Sequence, residues 1–395
     1  MGIKDLCKVL KKECPDVLEF KCHLSQLSGY SVAIDSSIFL YTYIKSAGER
    51  WPTSWTSLIC TLKKHRIKMY FIFDGPNPPA AKKDEQDARR ERFRRMIERL
   101  ETAKGLYQTL QVQYLMNKKE MPEQFKEDCK AVIEKKKKKY KIDYDSPTAI
   151  YHEFVDLIQR LENQTTPVSK EHQKMAIEIV ETFGIPYHIT DGFEAEAYSA
   201  FMASCGIVDA VLSEDTDVIA CGSPIWLAFR DHKLRDEKLH FISHDHILRS
   251  LDFTREQFLD MCILLSCDFN KRIELFPPEK SKAKTIKVGP VKAVNLITEY
   301  RCIEEFANNV VDLSRSEYEL CRKLFTCPDN FKDTIGKVPE DKKPDPEKIK
   351  ELFDKYQITL PVNYVLNLWK PVNMVFEDDQ VTVDDYFQDI DEDFE

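Results

Sequence analysis

Seven carboxylates stand where an apolar, strand-like run ends or a helix-like run begins. Two of them follow the runs SVAI and KMYFIF, and two more lie in the turn after DAVLS. The set comprises Asp35, Asp74, Glu194, Glu196, Asp215, Asp217 and Asp268. An open α/β sheet builds its ligand site at the carboxyl ends of its strands. One shared sheet would therefore bring these acids together.

Acids crowded into one crevice repel one another, and their pKa values rise unless cations neutralise the charge. Oxygen ligands with few or no His and Cys suit Mg²⁺ or Mn²⁺ rather than zinc or copper. Two such ions roughly 4 Å apart hold both the attacking and the leaving oxygen of a phosphodiester. Any one of the seven acids could instead be a solvated loop residue. As a set, they predict a two-metal site for phosphodiester hydrolysis.

The elements that position these acids alternate between strands and helices. Residues 31–34, 68–73 and 185–189 are predicted strands, and residues 225–230 and 238–242 are further strands, possible antiparallel additions to the sheet. The sequence Glu194-Ala-Glu196-Ala opens a predicted helix, and residues 258–267 lead to Asp268. This alternation predicts the α/β class, with a mostly parallel twisted sheet flanked by helices.

A basic segment interrupts this alternation. A long helix rich in Arg and Glu is predicted from Lys82 to about residue 110. The next stretch, about residues 111–146, is polar, contains a lysine run at 135–139 and shows no clear apolar face. Two interpretations stay open: a disordered loop or nuclear-localisation run, and a mobile basic lid over the site.

The charge distribution favours a nucleic-acid partner although the net charge of the 395 residues is −9. Residues 1–150 hold 30 Lys and Arg against 20 Asp and Glu, whereas residues 377–395 hold ten acids and no Lys or Arg. A local basic surface of this kind suits a DNA-binding face. The sequence has no apolar run of about 18 residues, no signal-peptide layout and no CxxC pair. We therefore expect a reduced, intracellular protein that does not insert into a membrane.

Seven short segments carry a further signal: MGIKDL, VAIDSSIFLY, YFIFDGPNPPAAK, GIPYHITDGFEAEA, VLSEDTDVIACGSP, CILLSCDF and VGPVKAVNLI. In this order they resemble the flap endonucleases of the XPG-like structure-specific nuclease superfamily. Together they cover roughly residues 1–105 and 165–300. The resemblance implies a PIN-like XPG nuclease core, a basic helical arch and a helix-hairpin-helix type DNA-binding region.

The resemblance also assigns catalytic and metal-binding roles. It implies that the seven acids hold two Mg²⁺ ions, directly or through water, with Mn²⁺ as a possible substitute, and it makes Asp215 a catalytic residue. It places Lys82 and Arg89 on the helix that supplies cations to the scissile phosphate. Their separation is nearly two helical turns, so both project from one face. The alternative for this pair is an exposed, solvated helix face.

DNA-binding roles follow from the same resemblance. Tyr41 matches a tyrosine on which an unpaired base stacks, although core packing is the alternative. Gly2 matches a small residue that lets the chain end lie near the site. Gly289 and Lys292 belong to a hairpin whose backbone N–H groups can contact a phosphate.

The C-terminal residues Gln380, Val383, Tyr386 and Phe387 have the spacing of a clamp-binding box. Aliphatic and aromatic side chains at this spacing point one way from a tight helical turn and fill a hydrophobic pocket on a sliding clamp such as PCNA. A chance match in an acidic tail is the alternative.

Three positions depart from the family pattern. Ser266 replaces a usual Gly, which weakens the inference that the backbone approaches DNA there. Lys287 replaces the first Gly of the Gly-x-Gly hairpin, which weakens the inference of a potassium ion. Val383 is smaller than the usual Leu, Ile or Met.

We expect six regions along the chain. They are an N-terminal nuclease region (1–110), a basic arch or lid (111–148), an internal nuclease region (149–269), a helical hairpin (270–328), a C-terminal linker or helical region (329–376) and an acidic tail with the clamp motif (377–395).

The expected function is that of a monomeric 5′-flap endonuclease with 5′–3′ exonuclease activity in DNA replication and repair. The expected location is the nucleus or a viral or organellar replication site. Alternatives are another superfamily member, namely a 5′–3′ exonuclease or a junction resolvase, a PIN-like RNase, and a non-catalytic DNA-binding adaptor docked on the clamp.

Overall fold

The computed structural model describes residues 2–77, 83–134, 142–230, 232–269, 274–275, 286–305, 317–335 and 337–370. These residues fall into two compact units. The first takes the described residues within 1–40, 52–82 and 170–388, and the second takes those within 41–51 and 83–169. No helix in the described ranges combines the length and apolar composition needed to cross a membrane.

The strands are β1 (Lys21–His23), β2 (Ser31–Asp35), β3 (Lys68–Phe73), β4 (Tyr187–Ile189), β5 (Ala210–Leu212), β6 (Ile225–Ala228), β7 (Lys238–Ser243), β8 (Glu274–Leu275) and β9 (Ile286–Lys287). The helices are α1 (Leu6–Glu13), α2 (Pro15–Glu19), α3 (Ser36–Ala47), α4 (Trp51–Lys64), α5 (Lys83–Thr109), α6 (Glu123–Ile133), α7 (Pro147–Thr165), α8 (Lys170–Thr182), α9 (Ala195–Ser204), α10 (Asp217–Ala220), α11 (His244–Leu251), α12 (Arg255–Leu265), α13 (Pro290–Tyr300), α14 (Tyr318–Phe325), α15 (Phe331–Thr334), α16 (Pro346–Tyr356) and α17 (Val362–Asn367). A π-helical segment, Leu110–Met116, continues α5.

The first unit is built on a sheet with the described strands in the order β1-β7-β6-β5-β2-β3-β4. The five strands from β6 to β4 are parallel, β7 is antiparallel to β6, and β1 is antiparallel to β7. The predicted α/β class with a mostly parallel sheet is therefore confirmed. The sequence leaves an antiparallel orientation open for β6 and β7. The structure shows that β6 is parallel to β5, whereas β7 is antiparallel to β6.

The interior positions of the central strands β2 and β3 are apolar and buried. Val32, Ala33 and Ile34 of β2 are almost fully buried, and so are Phe71, Ile72 and Phe73 of β3. Continuous Val, Ile and Phe runs are typical of parallel strands in this environment. The strand predicted at 185–189 is shorter than expected, because Ile185 instead donates its N–H to the carbonyl of residue 180 at the end of α8.

The connectivity creates a crevice at the middle of the sheet. From β2 the chain passes to β3 and then β4 on one side, and it later returns as β5 on the other side of β2. The strand order therefore reverses between β2 and β5. In open α/β sheets, ligands bind outside the carboxyl ends of the strands at such a point.

The C-terminal part of the first unit contributes to its core. Residues 329–350 are charged and Pro-rich, a composition that predicts a linker or a solvated stretch. Phe331 is nevertheless 1% exposed, and its ring centroid lies 5.1 Å from that of Tyr198 and 5.4 Å from that of Phe201. The solvated interpretation is wrong for this residue, since one aromatic side chain anchors the segment against α9.

The second unit has its own core between α5, α6 and α7. Phe125, Cys129 and Ile133 form a buried stripe on α6 that packs with residues such as Leu110 and Phe154. The expectation that residues 111–146 lack an apolar face is therefore wrong for α6. The three side chains recur at every fourth position, which is helical spacing within a charged sequence.

Candidate active site

The sheet positions three of the predicted acids at neighbouring strand ends. Asp35 is the last residue of β2 and pairs in register with Ile72 of β3, which brings Asp74 just beyond the adjacent strand end. Asp215 follows β5, the neighbour of β2 on the other side. All three acids therefore belong to the crevice where the strand order reverses.

Asp35 is the most deeply buried of these acids, with 2% of its surface exposed. Its Oδ2 accepts a hydrogen bond from Ser213 Oγ (2.8 Å), whereas its buried Oδ1 accepts none from the described residues. Burial first, and then the negative charges of Asp74 and Asp215, raise the pKa of Asp35 to about 7. A nearby cation would offset both effects.

Asp74 links the end of β3 to the helix that carries two further acids. Its Oδ1 accepts a hydrogen bond from the backbone N–H of Ala195 (2.8 Å), the first residue of α9. Its own backbone carbonyl accepts a hydrogen bond from Gln173 Nε2 (2.7 Å). Glu194 is the N-cap of α9, and Glu196 lies in its first turn. The hydrogen bond between Asp74 and Ala195 therefore fixes the start of α9, and with it both acids, relative to β3.

Backbone and side-chain hydrogen bonds order the loop between β5 and α10. Ser213 Oγ accepts from the backbone N–H of Asp215 (3.0 Å) while it donates to Asp35. Asp215 Oδ1 in turn accepts from the backbone N–H of Asp217 (3.1 Å). Ser213 therefore holds the acid of β2 and the acid after β5 together. Sequence reasoning missed this residue, although it lies directly at the end of β5.

The N-terminal segment packs against the same loop. A Cβ placed on Gly2 would lie 2.0 Å from Asp215 Oδ1 and 2.5 Å from Thr216 Oγ1, so only glycine fits. Gly2 also has a φ of 82°, which disfavours other residues. The backbone N–H of Lys4 donates to the carbonyl of Ser266 (2.9 Å), two residues before Asp268. The chain start is thus fixed beside two acid-bearing segments.

Glu194, Glu196 and Asp217 line a cavity of about 570 Å³ in the first unit. The three are 7%, 9% and 2% exposed. Phe269 and residues 322–329 form other parts of its lining. Burial and the charges of these same three acids raise the pKa of the Cys221 thiol well above its usual value. Asp268, the neighbour of Phe269, is half-buried.

The donor set suits a hard divalent cation, because it consists of carboxylate oxygens and includes the buried Oδ1 of Asp35. In the part of the chain that the structure describes, no three Asp, Glu, His or Cys residues form a group able to hold a metal ion. The acids therefore have the chemical type that such an ion requires and lie on neighbouring segments, but the described side chains do not form a complete set of ligands.

Other predicted site residues lie outside this group of acids. Arg89 is exposed on α5 and Tyr41 is 47% exposed, and both belong to the second unit. Lys45 Nζ lies 5.4 Å from the ring centroid of Tyr41. Gly289 is the N-cap of α13, and Lys292 is exposed in its first turn. Lys82 and the clamp motif Gln380, Val383, Tyr386 and Phe387 lie outside the described residues.

Comparisons with known proteins give matches over most of the chain. A family model described as the XPG N-terminal domain matches residues 1–96, and one described as the XPG I-region matches residues 184–268. The flap endonuclease 1 of Vanderwaltozyma polyspora is 30% identical over 353 residues, which cover 83% of this chain and 77% of that protein. The probable RAD2-like endonuclease 369L of Invertebrate iridescent virus 6 is 27% identical over 329 residues, which cover 77% and 72%.

Solved structures share the fold. The catalytic core of Rad2 in complex with DNA substrate has a TM-score of 0.54 at 18% identity and covers 93% of this chain and 98% of that one. Flap endonuclease-1 from Methanococcus jannaschii has a TM-score of 0.50 at 20% identity and covers 88% and 96%. At these identities the likeness extends to the fold alone.

Proposed function

This chain belongs to the XPG family of structure-specific nucleases, and on that premise we propose that it is a 5′-flap endonuclease with 5′–3′ exonuclease activity. The name of the Vanderwaltozyma polyspora relative supports the choice of flap DNA. The observation that carries the proposal is the group of buried carboxylates at the reversal point of the sheet, because phosphodiester hydrolysis by metal ions requires such oxygen donors.

Nucleases of this family depend on metal ions, and for this chain we propose two Mg²⁺ ions, with Mn²⁺ as a substitute. The seven acids Asp35, Asp74, Glu194, Glu196, Asp215, Asp217 and Asp268 would hold them. The bound ions supply an activated water nucleophile and positive charge for the phosphate. Ser213 keeps Asp35 and the Asp215 loop in place, and the N–H of Ala195 does the same for Asp74.

Basic and aromatic residues would act on the DNA itself. Lys82 and Arg89 would stabilise negative charge that develops on the scissile phosphate. Tyr41 would stack on an unpaired base, and its 47% exposure leaves ring surface available. Gly289 and Lys292 would contact the duplex backbone, for which the exposed first turn of α13 is suitable. Gly2 would leave space beside Asp215.

We also propose that the protein is an intracellular monomer that docks on a sliding clamp through Gln380, Val383, Tyr386 and Phe387. The nucleus or a viral or organellar replication site fits this role. Substituting both aromatic residues with Ala should abolish co-purification with the clamp and leave cleavage of free flap DNA at the parent rate. Undiminished co-purification by that variant would contradict the docking proposal.

The decisive assay is a Mg²⁺ titration against a labelled 5′-flap duplex, run beside nicked, gapped and four-way DNA and single-stranded RNA. The expected result is metal-dependent cleavage near the junction between single and double strand, with a 5′-phosphate product. Preferred cleavage of four-way DNA would indicate a resolvase, and preferred cleavage of RNA a PIN-like RNase. DNA binding without any cleavage would indicate an adaptor.

Asp215→Ala and Asp268→Ala should each abolish cleavage while largely sparing flap binding. The matched control is Asp209→Asn, which changes a carboxylate that accepts a hydrogen bond from the Ser31 N–H (2.7 Å) at the opposite end of β2. This control should cut flaps at nearly the parent rate. Parent-rate cleavage by folded Asp215→Ala protein would refute the site assignment.

A further inference from the structure

Two cysteines of the first unit lie next to each other at the edge of the acid-lined cavity. Cys205 follows the last residue of α9, and Cys327 lies two residues after the end of α14. Their Sγ atoms are 3.8 Å apart, and both residues are half-buried. Cys327 itself lines the cavity together with Glu194, Glu196 and Asp217.

We propose that Cys205 and Cys327 form a site of reversible oxidative modification, at which a peroxide joins the two sulfur atoms as a disulfide. The sulfurs must approach by roughly 1.8 Å to reach the S–S bond length of about 2.05 Å. The disulfide therefore requires side-chain rotation or a shift of the segment after α14. The proposal is independent of the proposed nuclease function, because it depends only on these two thiols.

The chemistry balances with one peroxide molecule. The Cys205 sulfur attacks a peroxide oxygen, the O–O bond breaks, and water leaves while Cys205 becomes a sulfenic acid. The Cys327 sulfur then attacks the Cys205 sulfur, the S–O bond breaks, and the oxygen leaves as a second water with the thiol proton. Two thiols and hydrogen peroxide thus give one disulfide and two waters.

The order of these steps follows from the surroundings of the two thiols. Burial, followed by the contact with Cys205, raises the pKa of the Cys327 thiol to about 12. Since the thiolate is the nucleophile, Cys327 is a poor first attacker, and we assign that step to Cys205.

A second pair in the same unit supplies an internal comparison. Cys267 and Cys321 have Sγ atoms 3.6 Å apart, which is slightly closer than the first pair. They are, however, 8% and 0% exposed. Peroxide must reach a sulfur before a disulfide forms, so accessibility rather than distance decides the outcome. We expect this second pair to remain reduced in the folded protein.

The disulfide would tie the end of α9 to the cavity lining. Helix α9 begins beside Glu194 and carries Glu196, and the segment that follows α14 lines the cavity around them. The bond would therefore restrict the separation of two segments that surround these acids. Reduction by a thiol would release them.

The test treats the folded, reduced full-length protein with hydrogen peroxide in the presence of Mg²⁺, alkylates the remaining thiols after unfolding, and maps peptides under non-reducing conditions. The expected product is a peptide pair linked through Cys205 and Cys327, which a thiol reductant separates, with Cys267 and Cys321 alkylated. In Cys327→Ser the link should be lost, and Cys205 should be captured as a sulfenic acid by dimedone. Cys302→Ser, at another half-buried cysteine, should retain the link.

Peroxide-treated wild-type protein whose Cys205 and Cys327 peptides stay unlinked would overturn the proposal. The same conclusion would follow if the Cys267–Cys321 link formed in their place. DNA cleavage by the reduced protein is measured separately, so failure of the nuclease proposal and failure of the disulfide proposal give different results.

Discussion

At the residue scale, Asp35 combines deep burial with two acidic neighbours. Burying a carboxylate is unfavourable, and the charges of Asp74 and Asp215 add repulsion. Hydrogen bonds from Ser213 Oγ and from the backbone of Ile38 offset part of this cost. The charge of Asp35 therefore disfavours the metal-free fold, and a bound cation would offset this cost.

Asp35→Asn should stabilise the metal-free protein and abolish cleavage. The neutral amide removes the cost of burying a charge and the repulsion from Asp74 and Asp215, together on the order of 1–3 kcal/mol at pH 8, so thermal unfolding in EDTA should occur at a higher temperature. Adding Mg²⁺ should stabilise the parent more than the variant, because the variant has lost a negative charge and one of the two carboxylate oxygens. Asp209→Asn serves as the control and should show neither effect. A lower unfolding temperature for Asp35→Asn in EDTA would show that its charge is already compensated.

Gly2→Ala should reduce cleavage about tenfold or more without preventing folding. The new methyl group would lie 2.0 Å from Asp215 Oδ1, so either the carboxylate or the chain start must move. Because displacements of about 1 Å at a catalytic site can cost about a hundredfold in rate, the effect should be large. The matched control is Gly29→Ala, since Gly29 has a similar φ of 88° and a Cβ placed on it would meet nothing within 4 Å. Equal activities of the two variants would contradict this assignment to Gly2.

The acids of the candidate site are easier to predict from the sequence than the residues that hold those acids in place. Asp35 and Asp74 are recognisable because each ends a continuous apolar run. Ser213 is not recognisable in this way, because a serine after a strand is common. One of its two hydrogen bonds is to Asp35, 178 positions away in the sequence, and the other is to Asp215 in the local turn. Support of this kind arises from tertiary structure, which no local pattern encodes.

At the element scale, strands β2 and β3 and helix α9 are predictable because their periodicity and flanking turn residues agree with their tertiary environment. Helix α6 escapes prediction because lysines and acids surround its three buried side chains, so the apolar stripe is narrow. The burial of Phe331 escapes it because a single aromatic residue in a charged stretch has no periodicity. Both failures concern segments that gain their order from packing against another element.

His244, the first residue of α11, should make the free energy of unfolding depend on pH. Burial, followed by the charge of Arg255, lowers the pKa of His244 from 6.5 to about 4, against a smaller opposing effect of Asp245. The unfolded chain therefore binds a proton between about pH 6.5 and 4 that the folded chain does not, and stability falls as the pH falls through this window.

Replacing His244 with Phe should remove this contribution, which we expect to be about 1–3 kcal/mol between pH 8 and pH 4.5. Urea unfolding at the two pH values measures it. The control is His246→Gln, which changes an exposed histidine on the same helix. If His244→Phe lost as much stability on acidification as the parent, another group would be responsible.

At the scale of the whole molecule, charge is distributed so that a net-negative chain can still bind DNA. Residues 1–150 carry the basic excess, whereas two groups of acids, the seven of the proposed metal site and the ten of residues 377–395, hold part of the negative charge. Bound divalent ions would neutralise the acids of the proposed metal site. The lysine run at residues 135–139 lies outside the described residues, yet its sequence position makes it a candidate for phosphate contacts.

Replacing the five lysines at 135–139 with Gln should weaken flap binding and flatten its salt dependence. Each lost phosphate contact reduces the slope of log affinity against log salt by about 0.9 on duplex and about 0.7 on single strands. Fluorescence anisotropy between about 50 and 200 mM salt measures the slope. The charge-matched control replaces the exposed Lys337, Lys342, Lys343, Lys348 and Lys350 with Gln. An equal loss of slope in the control would mean that total charge, rather than the position of the lysines, governs binding.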